Sequence, residues 1–346
     1  MLYLSRLSLV TIALLPLTNH ASDFIEGGAR YKAQGGVSVA NSNDVFALIT
    51  NPTNLLTHSN AEGSEYAMSF QQVQNVSPQG IDDGNSVSWQ YIGGASYSSK
   101  LVYGGYMAKA NKPIFIRHNK NEKLAIIYPE QWAFAIAYGN ESSENTLFNY
   151  GIGASIDAVI ATDDNGTKFN SADYNFTFSG KVATGSQWVL QTHTIDYEMK
   201  LAASYSTEEL TNEVFKPRIT IRPEIARLGT TLNSIILGPN SALGINFSAE
   251  VLTKNYSFID EYTAANSPQA DELHVGAEVN FYQFFSSDLS LALRYGQITY
   301  LETELAPRHT AGFGISGEKW SFDFSVQDAE VTTQTQVYDI SISYSL

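Results

Sequence analysis

Tyr338-Asp339-Ile340-Ser341-Ile342-Ser343-Tyr344-Ser345-Leu346 closes the chain with large apolar and polar residues in strict alternation. Side chains of a strand alternate between its two faces, so Tyr338, Ile340, Ile342, Tyr344 and Leu346 share one face. Asp339 and the three serines share the other. Such a strand suits the closing stave of a membrane β-barrel, apolar toward lipid and polar toward the lumen. It suits an edge strand of a soluble sandwich equally well. The rest of the chain decides between them.

The same two-residue period recurs upstream. Trp320, Phe322, Phe324 and Val326 alternate with Ser321, Asp323, Ser325 and Gln327, and Leu289, Leu291, Leu293 and Tyr295 with Ser290, Ala292 and Arg294. Leu243 to Val251 and Trp132 to Tyr138 repeat the pattern. It predicts strands over 66–74, 86–97, 101–109, 130–139, 147–160, 172–184, 187–205, 215–228, 241–252, 270–282, 287–297, 308–317, 319–328 and 335–346. The count is even, as single-chain bacterial barrels require, and the connections alternate between short turns and long loops. Only the turn 229–240 breaks that alternation, which points to a misplaced boundary around the eighth and ninth strands. The fold expected is all-β: a 14-stranded antiparallel transmembrane barrel. Alternation alone does not say which face is turned outward.

Residues 1–21 read as a signal peptide, with Arg6, an apolar run from Leu7 to Leu17 and a small residue, Ala21, before Ser22. That run is too short to span a bilayer. Without cysteine, the chain forms no disulfide frame and carries no lipidated cysteine. Tyr (20) and Phe (18) are abundant while charged residues are only 16%, the mixture expected when every strand has a lipid face and a lumen face. The formal net charge of −15 argues against nucleic acid as a partner. The expectation is therefore an outer-membrane protein of a Gram-negative cell, with lipopolysaccharide, outer-membrane lipids and the barrel-insertion machinery as its expected partners there.

Residues 22–62 lack sustained alternation yet carry Val37, Val39, Val45, Phe46, Leu48, Ile49, Leu55 and Leu56, too apolar for a solvated tail. They are expected to plug the lumen as a hatch, with 63–346 forming the barrel. Gly35-Gly36-Val37-Ser38-Val39-Ala40-Asn41, then Asp44 through Asn51-Pro52-Thr53-Asn54-Leu55, resembles the hatch of the FadL/OmpP1/TodX superfamily. Arg308-His309-Thr310-Ala311-Gly312-Phe313-Gly314-Ile315 with Trp320-Ser321-Phe322-Asp323-Phe324 resembles its penultimate hairpin. These runs cover about a fifth of the chain. Thr53 replaces the usual alanine, and the shorter length resembles the TraF-like branch. The resemblance implies Gly35, Gly36, Asp44, Asn51, Pro52 and Leu55 as hatch residues, and passive uptake of a hydrophobic small molecule, fatty-acid-like or aromatic. The rival function is a non-transporting barrel acting as an adaptor in secretion, conjugation or envelope assembly. A general polar porin would leave 22–62 outside the lumen.

Loop 110–129 combines Phe115, Ile116, Ile126 and Tyr128 with Arg117, His118, Lys120 and Lys123, an apolar cluster with cations that suits an amphipathic anion. The plainer roles are binding of lipopolysaccharide phosphates and packing at the rim. By parity the lumen receives Lys181, Glu198, Lys200, Glu250, His274, Glu278, Arg294, Asp323 and Asp339. Mutual pairing is their plain role; Lys200 or Arg294 holding a ligand carboxylate is the sharper one. Gly104-Gly105 is the first candidate for a lateral opening, with close packing on the hatch as the plainer reason for glycine. His58, His118, His193, His274 and His309 form no metal pair and flank no nucleophile motif, and Asp163-Asp164 matches no calcium loop. No cofactor, metal or enzymatic activity is expected.

Overall fold

The computed structural model describes residues 28–346 apart from 43, 59–62, 74–86, 99, 112–113, 120–121, 128–129, 141–147, 163–167, 171–173, 191–192, 211–219, 239–240, 256–270, 285–287, 302–305 and 329–336. The segment expected to be a signal peptide, 1–21, lies outside the described residues.

Fourteen strands form one closed antiparallel sheet. In chain order they are β1 Gly63–Val73, β2 Val87–Tyr97, β3 Leu101–Ala110, β4 Glu130–Gly139, β5 Phe148–Thr162, β6 Asn175–Leu190 and β7 His193–Ser206. There follow β8 Glu224–Leu237, β9 Ala242–Asn255, β10 Glu272–Tyr282, β11 Ser290–Tyr300, β12 Arg308–Ser316, β13 Trp320–Gln327 and β14 Val337–Ser345. Each pairs with its sequence neighbour, and β14 returns to β1 in the register Phe70↔Ile340 and Met68↔Ile342. Closure leaves no sheet edge for another chain to extend.

The direction of the faces settles the class. Ile152 (64% exposed), Phe134 (60%) and Ile342 (52%) point outward, while Glu250, Glu278 and Asp339 are almost fully buried inside. A soluble sandwich would have the reverse. An apolar exterior around a charged interior is a membrane-spanning barrel. Among the described residues no helix is long and apolar enough to cross a membrane; the strands make the crossing.

One misplaced boundary lies where the connection pattern pointed, at 229–240, and a second, the turn 185–186, lies where that pattern gave no sign. The predicted turn 185–186 is inside β6, which runs on to Leu190, and the predicted strand 215–228 begins instead at Glu224. Thr230-Thr231-Leu232-Asn233 continues β8 because threonine, though polar, favours strands and hydrogen-bonds across them. The inner-side connection then shrinks to 238–241, and the exception disappears. The ladders of β3 with β2 and with β4 run in unbroken register through Gly104 and Gly105, so these glycines make no gap in the wall.

Candidate functional site

Residues 28–58 thread the lumen. They form two single-turn helices, α1 Ala29–Lys32 and α2 Ala47–Thr50, and a 3₁₀ helix, Pro52–His58. This placement excludes the open polar porin. Gly35 (φ 74°) and Gly36 (φ 76°) form a left-handed pair, and Gly35 crosses the wall at backbone distance. A Cβ on Gly35 would lie 2.6 Å from the Val275 carbonyl oxygen, and one on Gly296 would lie 2.0 Å from the Gly35 nitrogen. Thr310 Oγ1 pins the crossing, accepting from the Gly35 amide at 2.8 Å and donating to the Ala33 carbonyl at 3.0 Å.

The remaining hatch residues fix its fold. The Asp44 carboxylate accepts from the Phe46 amide (3.0 Å) and Ser42 Oγ (3.4 Å) at the start of α2. Asn51 donates to the Val39 carbonyl (2.7 Å) and accepts from the Thr53 amide (3.1 Å) and hydroxyl (2.5 Å). That hydroxyl gives the threonine at 53 a structural role. Leu55 is fully buried, and Pro52 sits where a side chain at Gly153 would be.

The plug has two unlike flanks. Toward β8–β14 it is held by charge. Arg30 donates to Glu278 (3.1 Å), Gln34 to the other oxygen of Glu278 (3.0 Å), and Lys32 to Asp339 (3.3 Å). Arg294 bridges Glu278 and Asp323, reaching the latter at 2.6 Å. Burial opposes the charge on Arg30, yet Glu278, Asp323 and Asp44 outweigh it and hold the guanidinium protonated beyond its ordinary range. Burial pushes the Asp44 carboxyl up to about 6, aided by Asp323 and opposed by Arg30.

Toward β2–β5 the contact is mainly apolar, with one hydrogen bond from Ser155 Oγ to the Ile49 carbonyl at 3.3 Å. Leu48, Leu55 and Leu56 join Ala95, Ala108, Ala133, Ala135 and Ala137 in one buried cluster. Glycines complete this wall: a Cβ at Gly93 would lie 2.8 Å from Val45 Cγ1, and one at Gly139 or Gly151 would lie 2.8 Å from Leu56 Cδ1. Close hatch packing accounts for these small residues.

Above the plug, at the long-loop ends of the strands, opens a small vestibule of about 120 Å³. Tyr31, Lys32, Gly36, Ile49 and Thr50 line its floor. Arg227, Lys254, Glu272, His274 and Arg308 line its walls. Lys254 bonds Glu272 at 2.7 Å, Glu272 faces His274 Nε2 at 2.8 Å, and Arg308 lies 5.5 Å over the Tyr300 ring. Its charged lining is mostly cationic in an acidic protein.

Of the residues expected to meet a ligand, Phe115, Ile116, Arg117 and Ile126 lie on a separate hairpin, Ile114–Asn119 with Glu122–Ile127, where Phe115 stands opposite Ile126. Tyr128 lies outside the described residues. Lys200 on β7 pairs with Glu198 at 3.2 Å, and Arg294 on β11 belongs to the buried network. These two walls are distinct, and Lys200 and Arg294 share no site. The vestibule cations Arg227, Lys254 and Arg308 escaped the sequence reading because Arg227 stood near the end of the misplaced strand 215–228, Arg308 sits at a strand start and Lys254 fell in a predicted loop. Their common signal is a cation of lumen parity within four residues of a long-loop end.

No family model matches the chain, and no curated protein matches it. Among solved structures it aligns with the Ralstonia pickettii toluene transporter TbuX over 93% of this chain and 99% of that one, at 12% identity and a TM-score of 0.49. It aligns with the P. putida toluene transporter TodX over 93% and 98%, at 10% identity and 0.44. A Pseudomonas aeruginosa FadL homologue aligns over 96% and 99%, at 11% identity and 0.41. Likenesses this distant carry no weight on ligand or activity. The chemistry rests on the plug and its two flanks.

Proposed function

We propose that this barrel is an outer-membrane channel for passive uptake of a hydrophobic small molecule, fatty-acid-like or aromatic, delivered there by its N-terminal leader. The observation that carries the reading is the asymmetry of the plug. Its charged flank is anchored by buried ion pairs, whose rupture costs about 3–5 kcal/mol when one partner is lost. Its apolar flank meets a wall of alanine and glycine with no charged contact in the cluster. A greasy solute from the vestibule can replace those contacts with its own at little net cost, because apolar surface stays out of water throughout. The hatch then needs only to shift, not to leave.

The absence of cysteine makes a direct test clean. A disulfide between Val45→Cys and Gly93→Cys tethers the apolar flank, and one between Val39→Cys and Gly229→Cys tethers the charged side; both pairs are within bonding reach by their side-chain spacing. Uptake of labelled dodecanoate and toluene is measured in a Gram-negative host lacking its own routes for them. The first tether should block uptake until reduced, and the second should leave it intact. No uptake by the untethered protein would sink the proposal and favour the adaptor in secretion, conjugation or envelope assembly, a reading supported by the unbroken ladders around the plug.

A further inference from the structure

Closure protects the sheet along the length its strands share, but β6 and β7 outrun their neighbours on the short-turn side. The first residue of β5, Phe148, pairs with Thr184, and β6 runs on to Leu190 with only β7 beside it among the described residues. Exposed tyrosines on the outer face mark where the bilayer ends on this side. Tyr66, Tyr138, Tyr150 and Tyr344 each stand within three residues of a short-turn end. Tyr150 pairs with Val182, and from Val182 the strand continues eight residues to Leu190, about 26 Å along its axis. The tip of this ribbon therefore stands clear of the membrane, on the side that faces the periplasm in an outer-membrane barrel.

The edge of the ribbon is open and apolar. At the far end of the same ladder the Thr207 amide donates to the Phe176 carbonyl at 2.9 Å, and main-chain bonding alternates along an antiparallel pair. The even residues Ser186, Trp188 and Leu190 thus bond β7, while Gln187 and Val189 turn their N–H and C=O away from it. Val189 is 74% exposed, Trp188 59% and Leu190 55%. Trp188 and Leu190 share the outer face, but Val189 lies on the opposite face, in line with Thr194 and the exposed Leu237, so a bilayer cannot cover both. Exposed edges are normally blunted by charge, proline or a bulge. Gly185-Ser186-Gln187-Trp188-Val189-Leu190 has none of the three.

We propose that this ribbon is a docking site for a periplasmic protein, which lays one extended segment, apolar at alternate positions, as an added strand along Gly185 to Leu190. The outward main-chain groups of Gln187 and Val189 give that segment its ladder, and its side chains cover Trp188 and Leu190 on one face and Val189 on the other. The edge carries no charge for an ionic partner to match, so main chain and apolar surface supply the recognition. A second copy does not fit. Barrel strands tilt about 35–45° from the membrane normal, so two upright barrels would bring these edges together crossed at about 70–90°, too steep for a ladder. The site lies at the opposite end of the barrel from the vestibule and serves a partner whether or not a solute passes.

The test uses the full chain in lipid nanodiscs and a synthetic peptide of alternating threonine and valine with a lysine at each end. By amide exchange, Gln187 and Val189 should be unprotected in the barrel alone and protected at saturating peptide. The same peptide N-methylated throughout keeps its side chains but has no N–H to donate, and should bind at least tenfold more weakly. Val189→Pro removes one outward N–H without breaking the ladder to β7. It should weaken binding of the unmodified peptide by a similar factor, with the gel shift between folded and heated barrel unchanged. In cells, Val189→p-benzoylphenylalanine should couple on illumination to a periplasmic protein, at a segment that mass spectrometry reads as apolar at alternate positions. Protection of Gln187 and Val189 without peptide, undiminished binding of the N-methylated peptide or by Val189→Pro, or coupling only to lipid or to a second barrel would each overturn the proposal. Uptake enters none of these readouts, so failure of the transport reading leaves the result standing.

Discussion

Glu250 holds Ser38 by the main chain. Its Oε2 accepts the Ser38 amide at 2.7 Å and the Val39 amide at 2.8 Å, while Oε1 faces Arg227 at 3.4 Å. One wall carboxylate thus fixes two consecutive residues of the plug irrespective of their side chains. Removing it leaves two buried amides without their acceptor and takes one carboxylate from the buried Arg227 guanidinium, which keeps its bond to Ser38 Oγ at 2.7 Å. Glu250→Ala should weaken docking by about 3–5 kcal/mol while the barrel still closes. Trypsin would report this at Arg30 and Lys32: the folded wild type should resist and the variant should be cut.

Gly296 should be intolerant of any side chain. The clash at 2.0 Å is with the backbone nitrogen of Gly35, which cannot rotate away. Gly296→Ala should displace the plug at its left-handed turn and raise single-channel conductance in planar bilayers. Gly180 is the control, because a new Cβ there would meet the Gly151 carbonyl oxygen at an ordinary 3.5 Å. Gly180→Ala should conduct as wild type does.

The raised pKa of Asp44 makes plug docking depend on pH. The folded state keeps the proton to about pH 6, whereas the unfolded carboxyl loses it near 3.8. Between those values the undocked form binds fewer protons, so docking weakens as pH rises and levels off above about 6. The loss is roughly 3 kcal/mol at most. A spin label in the 28–42 segment should gain mobility from pH 4 to 6.5, and Asp44→Asn, which keeps the acceptor for the Phe46 amide, should flatten the response.

The closing strand and the other period-two runs were legible because Ile340, Ser341 and their kind alternate without exception, and parity correctly sent Glu250, Glu278, Asp323 and Asp339 inward. Two things were not legible. The outward direction of Phe134 and Ile152 is a property of the closed sheet, since a sandwich has the same local pattern. The Thr230–Asn233 stretch of β8 looked like a turn because its polar residues hide the alternation, and this also hid the vestibule role of Arg227. The Gly35-Gly36 pair signalled a special backbone, yet only the crossing of Gly296 explains why both partners lack side chains.

Ile342 tests which side faces lipid. It stands between Met68 on β1 and Phe322 on β13, half exposed on the outer face of the seam that closes the barrel. An arginine there must either reach the headgroups or carry its charge in hydrocarbon, which costs about 2–4 kcal/mol near the bilayer midplane. Ile342→Arg should therefore lower folding stability by that amount in urea titrations from lipid vesicles, read by the gel shift between folded and heated barrel. Ile342→Leu should be neutral. In detergent, where the belt is thin and adaptable, the arginine penalty should shrink. If Ile342→Arg were as stable as wild type in vesicles, the outer face of β14 would not be in the membrane, and the order of the closing seam would have to be redrawn.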